Sequence, residues 1–248
     1  MLGIVVALPW ELTSLTRASV ATGTCKAISD DVMVALSGIG AERAQRAVGL
    51  LVSQGATALL SWGFAAALDE CLTPGTVMIP KRVISATGDT YRVSADWHRR
   101  LHQRLSAKLP VSTEALLESE TIVNIPGLKR KLARQTRTAA SDMESAAQAR
   151  LARARGLPFV AVRVISDTAA TRIPQSVIQA LDPSGAVNIP SCLARAFLRP
   201  RDGIAMMKLG IQFAAARRTL GRASALVLEA SRIYLHSSST RPIPAARL

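Results

Sequence analysis

A helix that turns directly into an apolar strand leaves a chain few folds, and residues 139–168, AASDMESAAQARLARARGLPFVAVRVISDT, have that form. Ser-Asp-Met-Glu-Ser opens a small-residue helix, Gly156-Leu157-Pro158 ends it, and the apolar run FVAVRVIS leads into Asp167. Two carboxylates, Glu144 and Asp167, therefore stand at opposite ends of one helix–strand unit. In open α/β sheets ligands collect outside the carboxyl ends of strands, and Asp167 falls at such an end. The competing reading is that Glu144 starts a helix and Asp167 caps the next element.

The rest of the chain repeats the pattern. Leu2–Leu8 is a continuous apolar run bounded by Pro9, as expected of a strand buried on both faces. Asp31–Leu36 predicts a second strand, running into Ser37-Gly38-Ile39-Gly40 and then a helix over 41–53. Ala58–Ser61 predicts a strand that enters a glycine turn at Trp62-Gly63-Phe64. Val77–Ile79, Arg82–Ser85 and Glu114–Leu117 read as short strands, residues 95–108 as an exposed helix, and Lys129–Arg134 as the start of a basic helix. Alternating strands and helices argue for an α/β fold: a mixed, mostly parallel central sheet flanked by helices. The domain reading is a catalytic domain over 1–190, a basic helical extension over 191–236, and a disordered tail over 237–248. Within it, 181–190 is read as loop, and 191–198 and 203–235 as helices broken at Pro200.

Charge separates the two parts. Residues 1–149 carry 16 basic and 13 acidic side chains, whereas residues 150–248 carry 15 and 4, so the net excess of +14 sits mainly in the second part. That asymmetry predicts an anionic surface partner. Nucleic acid is disfavoured, because no recognition motif is visible and aromatics make up only 4% of the chain. A basic segment rich in Leu, Ala and Met suits peripheral contact with an anionic membrane better. Cys25, Cys71 and Cys192 are scattered, so neither a disulfide framework nor a zinc site is expected, and a reducing cytoplasm is the expected compartment. His98 and His102 stand four residues apart without the glutamate a zinc-protease motif needs, and read as part of a solvated basic helix. The N-terminus is read as lacking a secretory signal. Ala47–Leu68 has no charge over 22 positions, but its glycines, Gln54, serines and threonine favour helix end, turn and strand over a membrane span.

Four acidic or glycine-rich points follow predicted strands: Glu11, Ser37-Gly38-Ile39-Gly40, Trp62-Gly63-Phe64 and Asp167. With GIVVALPWEL, VALSGIGAERA, LLSWGFAAALDECLTPGTVMIP, SDMES and PFVAVRVISD in that order, residues 1–170 resemble the purine nucleoside phosphorylase and nucleosidase superfamily. The resemblance is nearest to the methylthioadenosine/adenosylhomocysteine nucleosidases. TIVNIPGLKRKLA and the arginine-rich tail are similar to the hopanoid-biosynthesis subgroup, which acts on adenosylhopane, a triterpenoid joined to the 5′ carbon of adenosine. The resemblance implies a nucleoside phosphorylase-like three-layer fold with a C-terminal helical extension. It implies Glu11 as the group that activates water, and Met143 and Glu144 at the ribose, with an ionised Glu144 gripping its hydroxyls. It implies a neutral Asp167, its pKa raised by burial, donating to N7 of the departing purine, with Ser166 beside it. Phe64, Ala65 and Ala66 would pass the base and ribose. Ile122 and Val123 would lie at adenine, with Ile122 replacing the family's stacking aromatic. No metal and no organic cofactor is implied, and the chain is expected as a homodimer acting on a small, lipid-linked nucleoside.

Cleaving the N-glycosidic bond develops positive charge on the sugar and negative charge on the base, which is why one acid, one base and one further carboxylate are needed. Phosphorylases of this superfamily place arginines in the first loop and after the third strand; here those positions read Ala-Leu-Pro-Trp-Glu and Ser61-Trp62-Gly63, and Arg43, which could in principle substitute, reads as a solvated helix residue. Hydrolysis is therefore favoured. The competing readings are phosphorolysis of the same substrate, general methylthioadenosine/adenosylhomocysteine cleavage, and a nucleoside-binding module without turnover.

Overall fold

A computed structural model describes residues 1–180, 182 and 200–239. The strands are β1 (Leu2–Val6), β2 (Thr24–Ser29), β3 (Val32–Leu36), β4 (Ala58–Ala67), β5 (Val77–Met78), β6 (Arg82–Ile84), β7 (Thr90–Arg92), β8 (Val111–Ser112), β9 (Leu116–Glu118), β10 (Ala140–Asp142) and β11 (Phe159–Asp167). The helices are α1 (Pro9–Leu12), α2 (Ala41–Ser53), α3 (Ala95–Ser106), α4 (Pro126–Thr136), α5 (Ser145–Ala154), α6 (Gln175–Ala180) and α7 (Pro200–Ser239). One sheet runs β2-β3-β1-β4-β10-β9-β6-β7, and β11 branches from β4 to pair β5, which pairs β8. The central pairings β3–β1–β4–β11 are all parallel, with antiparallel strands towards the edges. The sheet is mixed and mostly parallel, with helices on both faces, as the alternation predicted.

The apolar runs explain this placement. Side chains alternate across a strand, so a strand apolar at every position must be covered on both faces. In β1, Leu2, Ile4 and Val6 pack with α3 and α7, while Val5 packs with α2 on the other side. In β11, Val160, Val162 and Val164 take the first face, and Phe159, Ala161 and Ile165 the second. Arg163 shares the second face and is buried there as the lone charge in an otherwise apolar strand interior.

Four expectations are revised. Trp62-Gly63-Phe64 is no turn: β4 continues through it to Ala67 in parallel register with β11, pairing Gly63 with Arg163. Helix α3 is not an exposed helix, since Trp97, Leu101 and Leu105 are fully buried against α7. The Trp97 indole donates to Ser231 Oγ at 3.1 Å and stacks on Tyr234, and His98 is buried with Nε2 2.9 Å from the Ile79 carbonyl, rather than solvated. Ala140–Asp142 forms a strand, so α5 begins only after Glu144. Strands β2, β7 and β10 carried too short or too polar a pattern to be seen.

The C-terminal helix is present as α7, begins at Pro200 and extends to Ser239, beyond the point where a disordered tail was expected. Proline is tolerated in a first helical turn, where its missing N–H has no partner to lose. Ala216, Leu220, Ala223, Val227 and Ala230 recur at helical spacing and join the core beneath α3. The apolar stripe that suggested membrane contact is thus used largely against the sheet, with Met207, Ile211 and Ile233 as the exposed large apolar side chains of α7 among the described residues. The predicted helix over 191–198, the loop over 181–190 apart from Asp182, and the chain from 240 onward lie outside the described residues. Ala47–Leu68 divides as helix end, turn and strand, and no helix among the described residues is long and apolar enough to cross a membrane.

Candidate active site

The carboxyl ends of β1, β4, β10 and β11 converge on one cavity of about 200 Å³. Glu11, Phe64, Ala65, Ala66, Ile122, Val123, Met143, Glu144, Ser166 and Asp167 all line it. The ten candidate site residues are therefore brought to one place. Ala7, Leu8, Ile39, Ser119, Ser141, Asp142, Ile173 and Phe213 complete the wall.

Glu11 is placed by its own neighbourhood. Leu8 is extended, as a residue before proline prefers, and Pro9 starts the short helix α1. The side chain folds back so that Oε2 accepts from the amides of Ala7 (2.8 Å) and Leu8 (2.9 Å), while Oε1 accepts from Phe64 N–H at 2.9 Å. Gly63 makes that approach possible: a Cβ there would lie 2.5 Å from Glu11 Cδ. The glycine serves close passage of a carboxylate, which is why a strand interior tolerates it. Burial raises the Glu11 pKa, and this outweighs the lowering by the Arg163 charge and the three amides. A raised carboxyl is a stronger base once ionised, suited to taking a proton from water near neutral pH.

Glu144 stands on the far wall, immediately before the first residue of α5. Its Oε1 accepts from Gly40 N–H at 2.9 Å, so the Ser-Gly-Ile-Gly segment after β3 serves to hold this carboxylate. Gly40 has φ of +103°, a conformation in which a side chain would be strained. Burial and the nearby Asp142 charge raise Glu144 to about 8, against a smaller lowering by Arg163. Protein groups alone therefore favour its neutral form at pH 7, where an ionised group was expected. Sugar hydroxyls donating to it would favour the carboxylate.

Below these groups lies an ion pair that the sequence did not disclose. Arg163 Nε donates to Asp142 Oδ2 at 2.7 Å, and Nη2 donates to Ser61 Oγ (2.6 Å) and Ser145 Oγ (2.9 Å). Ser145 Oγ in turn donates to Asp142. This arginine is spent on its own carboxylate and on two hydroxyls, so it is no free anion ligand. The wall residues of the cavity include no lysine or arginine among the described residues.

Asp167 closes the third side. Ser166 Oγ donates to its Oδ1 at 2.7 Å and also lies 3.2 Å from Ala65 O. Its Oδ2 is in contact with the Nζ of Lys129, which is fully buried and donates also to Thr168 O at 2.8 Å. The expectation for Asp167 rested on burial alone and did not include this partner: a buried ammonium lies against its carboxyl, which is the usual condition for burying a charge. From the sequence, Lys129–Arg134 reads only as the start of a basic helix. Arg130, Lys131 and Arg134 are indeed exposed, and nothing local in the sequence separates Lys129 from them.

A further aromatic reaches the cavity from the C-terminal helix. Phe213 of α7 enters the wall, with ring centroids 4.9 Å from Phe64 and 5.0 Å from Trp10, and the Arg217 guanidinium lies 5.9 Å from the Trp10 ring centre. Among the described residues no group of three or more His, Cys, Asp or Glu side chains converges as a metal cage.

Three carboxylates at the strand ends of a mixed α/β sheet, around a small and mostly apolar cavity, define an enzyme of the nucleosidase or nucleoside phosphorylase type. The chain belongs to the phosphorylase superfamily, whose family profile matches residues 2–186. Among solved structures it is similar to the futalosine hydrolase of Helicobacter pylori (14% identity, TM-score 0.66, covering 94% of this chain and 97% of that one). It is also similar to the 5′-methylthioadenosine/S-adenosylhomocysteine nucleosidase of Helicobacter pylori (13%, 0.67, 94% and 97%) and to that of Neisseria meningitidis (17%, 0.67, 92% and 96%). At these identities the likeness is one of fold. No curated protein matches at a significant level.

Proposed function

We propose that the chain hydrolyses the N-glycosidic bond of a 5′-substituted adenosine, releasing adenine, and that its substrate is lipid-linked, as in adenosylhopane. One observation carries the reading: Glu11, Glu144 and Asp167, drawn from three separate parts of the chain, face one cavity whose other walls are mainly apolar. In this scheme Glu11 takes a proton from the water that attacks the anomeric carbon. Glu144 holds the ribose hydroxyls and favours positive charge on the sugar, and Asp167 serves N7 of the leaving base. Ile39, Met143, Ile173 and Phe213 offer apolar surface suited to a hydrocarbon 5′ substituent. Water is favoured over phosphate because a dianion beside Glu11 needs cations, and Arg163 is already committed to Asp142. The names of the structural neighbours, nucleosidases and a futalosine hydrolase, support the same direction.

The test is adenine release from adenosylhopane and from methylthioadenosine, each with and without phosphate. Equal rates in both buffers and no sugar 1-phosphate are expected, with adenosylhopane the better substrate. A sugar 1-phosphate as main product overturns hydrolysis, and preference for methylthioadenosine overturns the lipid-linked substrate. The same reading holds that the enzyme meets its substrate at an anionic bilayer through the exposed Met207 and Ile211, near the turn of α7 that carries Phe213. Basic residues near such a surface contribute roughly 1 kcal/mol each. Co-sedimentation with anionic liposomes at low salt, lost at high salt, is expected, and absence of binding at low salt removes the membrane from the account.

A further inference from the structure

We infer that Lys129 is the proton reservoir for the leaving base, acting through Asp167. The inference rests on the nucleosidase reading and adds a residue that this reading does not use. Lys129 projects from α4, a helix whose other basic side chains point to solvent, yet it is itself fully buried. Its Nζ reaches two acceptors, Asp167 Oδ2 and the Thr168 carbonyl, and both lie at the end of the strand that carries the acid. Burying an ammonium is costly, and a purely structural need at this spot could be met by apolar side chains of similar volume. What an ammonium offers in addition is a proton that can leave.

In an ion pair with the Lys129 ammonium, the Asp167 carboxylate has no proton of its own to give N7. Breaking the bond from the anomeric carbon to N9 sends its electron pair to the base. The Lys129 proton then moves to Asp167, the Asp167 carboxyl delivers a proton to N7, and Lys129 is left as a neutral amine. On the other side the attacking water forms the new C–O bond and loses one proton to Glu11. After products depart, Glu11 releases that proton to solvent and Lys129 regains one, so the cycle adds one water and consumes nothing else. Lys129 does not itself line the cavity and reaches it only through Asp167, so it is a positioning and proton-supplying residue rather than a catalytic one.

Arginine separates this role from simple charge compensation, because a guanidinium keeps the ion pair but does not give up its proton. Lys129→Arg and Lys129→Met are compared with wild type on an adenine nucleoside and on 4-nitrophenyl ribofuranoside, whose leaving group needs no proton. Folding is checked by circular dichroism. Both variants are expected to lose at least ~10²-fold in kcat on the adenine substrate, the scale of general acid catalysis, and only a few-fold on the nitrophenyl one. The Met variant is also expected to lose adenine turnover progressively as pH rises, since Asp167 must then draw its proton from solvent. If either variant fails to fold, the other decides. Retention of adenine turnover by a folded Arg variant overturns the inference, as does an equal, pH-independent loss on both substrates. A wild-type enzyme that releases no adenine from any nucleoside fails the functional reading itself, and the inference with it.

Discussion

Glu11 and Asp167 are both buried carboxylates at strand ends of one cavity, yet the protein holds them by opposite means. Glu11 accepts three backbone N–H bonds, and the cation that acts on it, Arg163, is bonded to Asp142 instead. Asp167 is in direct contact with the Lys129 ammonium. Amides orient a carboxylate without cancelling its charge, so burial prevails and Glu11 is pushed upward. An ammonium cancels the charge and also carries a transferable proton. Under the proposed mechanism, the contrast separates the group that takes a proton from the one that gives it.

Removing the carboxylates should have the largest effect and test that contrast directly. Glu11→Gln and Asp167→Asn are each expected to lower kcat on an adenine nucleoside by at least ~10²-fold with the fold intact. Only Asp167→Asn should be relieved when 4-nitrophenolate is the leaving group, because a base for water is still required when no acid is. Near-normal turnover in either folded variant, or equal relief in both, breaks the distinction.

A smaller effect concerns Glu144, which resembles Glu11 in being held by an amide. Its pKa in the folded protein is about 8, above the ordinary 4.5, so the fold favours the protonated form. That contribution to stability is fully present below pH 4.5 and is lost as pH rises towards 8. Glu144→Gln, which stays neutral, should therefore melt a few degrees above wild type at pH 8 and much closer to it at pH 5. Glu118, raised by burial to about 7, leaves a residual slope of the same sign in both proteins. Melting curves that run parallel at every pH would show that Glu144 is not strained by its burial.

Legibility in the sequence followed locality. The runs Leu2–Val6 and Phe159–Asp167 announced buried strands because a strand covered on both faces must be apolar throughout. Glu11 and Asp167 were visible because each follows such a run directly. Trp62-Gly63-Phe64 was misread as a turn because glycine usually marks one, and only the position of Glu11, 52 residues earlier, explains it. Lys129 could not be told from Arg130 and Lys131, since a periodic pattern distinguishes apolar from polar faces and not a solvated cation from a buried one. Phe213 was read as part of a basic tail, and its place in the cavity follows from how α7 packs on α3 and the sheet.

The sequence by itself determined the layered architecture, because hydrophobic period and turn residues act over a few neighbours and the solvent penalty enforces them everywhere. It also determined which carboxylates stand at strand ends. Tertiary structure alone decided how those carboxylates are charged. Arg163 and Asp142 lie 21 residues apart, and Lys129 and Asp167 lie 38 apart, yet each pair meets in a dry interior. Electrostatic interactions there depend on distance and burial, which no local pattern of residues encodes.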